Sequence, residues 1–356
     1  STARLNVPWE LPRSSSGGAH DPFISDDGRT AVFKGMGDAT VPDRGAAPGA
    51  FAIYLADLRP APPDLFECLQ PTIMERLSSL RSSDVAVDAD GDLVAWMKPG
   101  LDGTRTLAVE SRGDVLPMIG PPLPFRECNQ IGLSADGRRL AFAALPNRHV
   151  EARKQSVFVL DVPTGHIHSE IAKDPRRQTW VGAPALSGDA SHLAYCEHLT
   201  GDREERKGRG PRLVRIWLEG KGRVLRRSLV SGEDLVVSEG YPTVPPREEG
   251  QAPGISEDGR HIAFLASDES GMHHNARVIL WSETAEGPVT VDVRGGLIPR
   301  VQCHMPRPTA DGTRVFFDAR PRGPGLGTWD VFRWSRAKGL ECLTRDWHDG
   351  KKSDDW

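Results

Sequence analysis

The stretch ISEDGRHIAF at 255–264 returns, slightly altered, as ISDDGRTAVF (24–33), LSADGRRLAF (133–142) and PTADGTRVFF (308–317). A chain that repeats one supersecondary unit must bury each copy against its neighbours, which rules out most ordinary mixed folds. Aligned on the aspartate of the turn, six units begin around Asp27, Asp90, Asp136, Asp189, Asp258 and Asp311, spaced by 63, 46, 53, 69 and 53 residues. The fourth unit, LSGDASHLAY, has Ala190 where the others have glycine, so a different turn is expected there.

Each unit has a short run before the turn and a β-rich run after it, such as GAPALS and LAYCE or QAPGIS and IAFLA. Asp-Gly between two such runs predicts a tight hairpin with a primed turn, because glycine accepts positive φ freely. A third strand follows at FAIYLADL, RTLAVES, SVFVLDVPTG, LVRIWLEGKG, RVILWSETAEG and WDVFRWSRAKG. A fourth closes each unit at LFECLQ, VLPMIG, HIHSEIA, RVLRRSLV, VTVDV and LECLT. Four strands per unit at this period fit the blades of a propeller, which covers both faces of each sheet. The expectation is all-β: a six-bladed β-propeller of four-stranded antiparallel blades over 21–345, with blades at about 21–70, 84–120, 129–172, 182–231, 251–293 and 304–344. Residues 1–20 are too few for another blade and are expected to pack on the ring, and 346–356 form a tail. PTIMERLSSL (71–80) carries Ile73, Met74, Leu77 and Leu80 at helical spacing and reads as a short helix.

These units resemble the repeats of the TolB-like propellers, a bacterial type whose unit also builds the propellers of tricorn-type and prolyl-oligopeptidase-type peptidases. The resemblance covers roughly 20–345 and implies the fold. For function it implies a protein-binding platform, a gate over a peptidase, or a metal-holding lyase, and fold does not choose among them. A peptidase needs a G-x-S-x-G elbow, and that pentapeptide does not occur. Nor is there a phosphate-binding P-loop, an H-E-x-x-H pair or an EF-hand loop.

Charge and cysteine use narrow the partners. With 45 Lys+Arg against 49 Asp+Glu, no global field recruits nucleic acid, and no apolar run is long enough for a membrane span. The start STARLNVPWE suits a cytoplasmic chain that has lost its initiator methionine; an exported chain with its signal removed is the alternative. Cys68, Cys128, Cys196, Cys303 and Cys342 are odd in number and scattered, which suits packed thiols better than disulfides.

In a propeller the innermost strands line a channel, and the position seven before each turn aspartate carries His20, Ser83, Asn129, Gly182, Gln251 and His304. His20, Gln251 and His304, with Asn129 at the same level, are candidate ligands for a divalent metal ion; solvated channel residues are the competing reading. The adjacent histidines of GMHHN (271–275) and the pair in HIH (166–168) read as surface. Three segments suggest an interaction surface: the Gly/Ala/Pro-rich 35–50, the charged loop 197–212, and the tail with Trp347 and Trp356. Arg203, Arg206, Lys207, Arg209 and Arg212 begin a basic run that extends to Arg227. The leading expectation is a monomeric, non-catalytic propeller scaffold that binds a protein or peptide partner through one face or the channel mouth. A metal-dependent lyase or hydrolase is the alternative, and a carbohydrate- or small-molecule-binding propeller is the second.

Overall fold

The computed structural model describes residues 19–24, 30–36, 51–57, 73–76, 83–99, 105–111, 125–146, 155–171, 179–207, 210–241, 243, 252–266, 277–293, 301–321 and 330–342. All the regular elements among them are strands, and every pairing is antiparallel. The strands form five sheets, so the expectation of six blades is corrected to five.

The first sheet holds β1 (Ala19–Ile24), β2 (Thr30–Met36), β3 (Phe51–Asp57) and β4 (Ile73–Arg76) in sequence order. Its last strand overturns two expectations. Ile73 and Met74 pair with Asp57 and Ala56, so 73–76 closes the sheet as a strand and does not begin a helix, while the expected fourth strand LFECLQ lies outside the described residues. The physical reason is local. Helix nucleation is costly for a short segment, whereas the free edge of β3 offers ready backbone partners.

The second sheet explains the count of five. It joins β5 (Ser83–Val87), β6 (Leu93–Pro99), β7 (Arg105–Ser111), β8 (Phe125–Leu133), β9 (Arg139–Pro146), β10 (Ser156–Asp161) and β11 (Ile167–Ile171). The second and third sequence units meet there through a single pair, Arg105 with Phe125; the expected strand VLPMIG lies outside the described residues. Their apolar faces share one core. Ala86, Ala95, Met97 and Val109 pack with Ile131, Leu140, Phe142, Phe158 and Leu160, and the rings of Phe142 and Phe158 stack at 5.5 Å.

The remaining sheets are β12 (Thr179–Leu186), β13 (His192–Lys207), β14 (Gly210–Ser228) and β15 (Asp234–Val236); β16 (Gly254–Ile255), β17 (His261–Ala266), β18 (Arg277–Thr284) and β19 (Gly287–Asp292); and β20 (Val301–Pro308), β21 (Arg314–Pro321), β22 (Asp330–Ser335) and β23 (Gly339–Cys342). The middle one of these three shows how a blade is held. Side chains alternate along a strand. Ile262, Phe264 and Ala266 of β17 therefore pack with Ala183, Ala194, Cys196 and Val224 of the sheet before. Ala263 and Leu265 pack with Cys303, Val315, Phe317 and Phe332 of the sheet after. All five β17 residues from Ile262 to Ala266 are buried, so the strand reads as a continuous apolar run.

The repeated Asp-Gly stretch is a four-residue loop on a type I turn, which corrects the expected primed turn. Ser134 N–H donates to Arg139 O, Gly137 N–H donates back to Ser134 O, and only Gly137 in the loop has positive φ, at 68°. The serine also bonds Asp136 Oδ1 at 2.7 Å, and Arg138 N–H donates to the same oxygen at 3.0 Å. Equivalent hydrogen bonds recur from Ser187 to Asp189, Ser256 to Asp258 and Thr309 to Asp311. The different turn expected in the fourth unit is absent. Ala190 donates to Ser187 O and takes φ 54° in the same loop, because Ser187 and Asp189 already fix the geometry.

Candidate functional site

The position seven before the turn aspartate has a structural correlate that sequence reasoning did not anticipate. His20, Ser83, Asn129, Gly182 and His304 each stand immediately before a register shift in an innermost strand. The next residue takes positive φ at Gln130, Ala183 and Met305. A bulge of this kind bends the strand and re-aims the residues beside it, at a cost that neighbouring packing must offset. Of the proposed metal ligands, His304 is half-buried and pairs in register with Asp318. His20 is placed opposite Lys34 and Asn129 opposite Ala143, while Gln251 lies outside the described residues. Among the described residues no cluster of three or more His, Cys, Asp or Glu could hold a metal ion. GMHHN lies outside the described residues, and His166 and His168 are exposed on and beside β11.

The charged segment 197–212 is not a loop. β13 and β14 pair continuously from His192 with Ser228 to Lys207 with Gly210, with one slip between His198 and Thr200. The expected third and fourth strands of this unit are one 19-residue strand, β14, and the fourth is β15. The slip decides the shape of the hairpin. His198 faces Gly222 and Thr200 faces Trp217, so one residue on β13 stands against four, 218–221, on β14. Gly220 and Gly222 absorb this bulge without ending the strand. The His198 ring fills the space at Gly222, where a Cβ would come within 2.1 Å of it. Below the bulge, β12 pairs along β13 up to Leu199, and β15 pairs with 225–227 of β14. Above it, 200–217 forms a two-stranded ribbon that no other strand joins among the described residues, about 27 Å long at the usual rise per residue.

The basic run therefore divides into two. At the foot, Arg223 bonds Glu197 at 2.5 Å, Arg227 bonds Asp234 at 3.0 Å, and Arg226 bonds Glu283 at 2.7 Å. Each of these arginines is already paired with a carboxylate, Arg223 and Arg227 within their own sheet and Arg226 across to the next, so they are not a free basic surface. Arg203, Arg206, Lys207 and Arg212 stand on the ribbon, while Arg209, Trp347 and Trp356 lie outside the described residues.

Arg226 anchors a seam that no sequence motif signals. Its guanidinium lies 4.9 Å over the Trp281 ring and donates to Gly259 O at 3.3 Å. Gly259 also makes room for the preceding unit: a Cβ there would come within 2.6 Å of His192 Nδ1, and one at Gly312 within 2.2 Å of His261 Nδ1. His192 Nδ1 is 2.7 Å from Ser191 Oγ, and His261 Nδ1 is 3.0 Å from Ser282 Oγ. Burial lowers the pKa of both imidazoles below the ordinary histidine value. They are wedges between sheets, and their equivalent sequence positions, three after the turn aspartate, are the signal that could have found them. The Cys196 thiol is buried and pushed up to about 12, so it serves as packing. Cys303 is likewise buried.

No family model matches the chain, and no curated protein matches it. Solved structures do. The β-propeller domain of the Trilobed protease from Pyrococcus furiosus is similar with a TM-score of 0.55 at 10% identity, covering 92% of this chain and 84% of that one. The Pyrococcus horikoshii acylaminoacyl peptidase gives 0.54 at 11% identity, over 92% of this chain and 46% of that one. TolB from Acinetobacter baumannii gives 0.47 at 13% identity, over 78% of this chain and 55% of that one. The chain thus spans about half the length of the TolB and acylaminoacyl peptidase chains. Likeness to the first two shows the class: an all-β propeller with four-stranded antiparallel blades.

Proposed function

We propose that this propeller is a non-catalytic scaffold that binds a protein or peptide partner, and that the β13–β14 ribbon is the element that meets it. One observation carries the reading. The ribbon extends eight residue pairs past the last strand that flanks it, with two sets of backbone donors and acceptors that no described strand uses. A two-stranded ribbon standing alone is marginal in water, so one held out from a well-packed sheet is best explained by something that docks on it. Its foot supplies the rigidity. The seam around Arg226 and the His198–Gly222 contact fix the direction in which it leaves the sheet.

The test replaces 201–216 with Asn-Gly, a two-residue hairpin turn, and compares affinity capture by the two proteins. A partner retained by the natural chain and lost from the shortened one supports the reading. Equal recovery on both would overturn it.

A further inference from the structure

The edge of the ribbon carries a charge order that matches itself. Along β13 the residues Asp202, Arg203, Glu204, Glu205 and Arg206 follow one another with no proline between them. Laid antiparallel against a second copy about Glu204, Asp202 meets Arg206 and Arg203 meets Glu205, each pair occurring twice. Only Glu204 meets its like, on the axis. Registers centred one residue to either side are poorer. One sets Glu205 on its like at the axis and Arg203 against Lys207, and the other sets Arg203 on its like. Residues directly opposite across an antiparallel pair share a face, so opposite charges there stabilise one register and like charges oppose the others.

The register within the ribbon reinforces the pattern. Asp202 stands opposite Arg215 and Glu205 opposite Arg212 on β14, so pairing two β13 edges sets each of these acids between two arginines, one from each copy. The other edge is less suited to a further strand, since Pro211 on β14 has no N–H to donate. On the β13 side, β12 ends its pairing at Leu199, and 200–207 is unpaired among the described residues. Two ribbons joined there make a four-stranded sheet, with three strand pairings where each hairpin alone has one.

We infer that two copies of this chain pair through their β13 edges, antiparallel about Glu204, giving a twofold dimer rather than the monomer expected from the sequence. The contact is isologous and closes on itself, so it stops at two copies. It rests on the reading of the ribbon as an interaction element.

The test separates the charges onto two versions of the full chain and follows them by sedimentation equilibrium at low salt. One carries Arg203→Glu and Arg206→Glu, the other Asp202→Lys and Glu205→Lys. Each alone should associate about 30-fold more weakly than the natural chain, and an equal mixture should recover the dimer, because every pair except Glu204 with Glu204 is again opposite. Glu204→Gln, which faces Leu213 within its own ribbon, should tighten the natural dimer about threefold. A natural chain that stays monomeric at about 100 µM, a mixture no tighter than its components, or no gain from Glu204→Gln would each overturn the inference. Ribbon-dependent capture of another protein by a monomeric chain would leave the proposed function standing without it. A dimer whose capture ignores the ribbon would do the reverse.

Discussion

The two halves of the β13–β14 hairpin are continuous in backbone and opposite in construction. Its foot, 192–198 with 222–228, lies between two flanking strands, buries Leu193, Ala194, Cys196 and Val224, and pairs each of its arginines with a carboxylate of its own or a neighbouring strand. Its outer half has no described flanking strand, and every residue of β13 from Asp202 to Lys207 is charged. The comparison shows how one hairpin serves two purposes. Burial fixes where the foot sits, and the unused edge of the outer half is left for another chain.

Substitutions in the blade body should therefore cost far more than any in the ribbon. Phe264→Ala, fully buried between two sheets, should lower unfolding free energy by about 4 kcal/mol, read from the urea midpoint. A loss below about 1 kcal/mol would show that this seam is not a packed core. Gly259→Ala combines a left-handed backbone with a clash on His192 and should cost about 3 kcal/mol; wild-type stability would mean that the wedge moves freely.

Acid comes next in size. Hydrogen bonds from the turn Ser/Thr hydroxyls and backbone lower the folded pKa values of Asp136, Asp189 and Asp258 in spite of burial, and Thr309 and Thr313 hold Asp311 at about 2. A depressed carboxylate stabilises the fold above its unfolded pKa of about 3.9, and that contribution is lost as pH falls toward about 2. Asp88, raised by burial, works in the opposite sense. His192 and His261 add an earlier slope. Their contribution is complete above about pH 6.5 and declines below it, because the unfolded imidazole takes up a proton first. Stability that is flat from pH 7 to 3 would contradict both assignments.

Two small effects sharpen the contrast. Ala190→Gly should stabilise by about 0.5 kcal/mol, since relief of the left-handed strain exceeds the added freedom of the unfolded chain. A loss on urea unfolding would argue that the Ala190 methyl contributes packing. Replacing 201–216 with Asn-Gly should leave the unfolding transition within about 0.5 kcal/mol of the natural chain. A larger drop would mean that the ribbon belongs to the core after all.

Much of the architecture was legible because burial imposes a period on sequence. Alternating runs such as HIAFLA and RVILW place β17 and β18 without ambiguity, and the turn aspartates mark each hairpin even where Ala190 replaces glycine. The readings that failed lie where the pattern is weak. PTIMERLSSL looked helical because Ile73, Met74, Leu77 and Leu80 match the helical period, although 73–76 pairs as a strand, and LVRIWLEGKG and RVLRRSLV looked like two strands where one strand carries a bulge. The charged 197–212 looked like a loop because strands are recognised by apolar alternation, which this run of charges lacks.

By itself, then, the sequence determined where the repeated hairpins fall and the all-β class, since these follow from local periodicity. Only the tertiary structure decided how the units join, through the single pair that merges two of them into one sheet, and which arginines are already spent on the seam. Those outcomes depend on groups brought together from 57 residues apart, as in Arg226 and Glu283, and no local pattern encodes such a meeting.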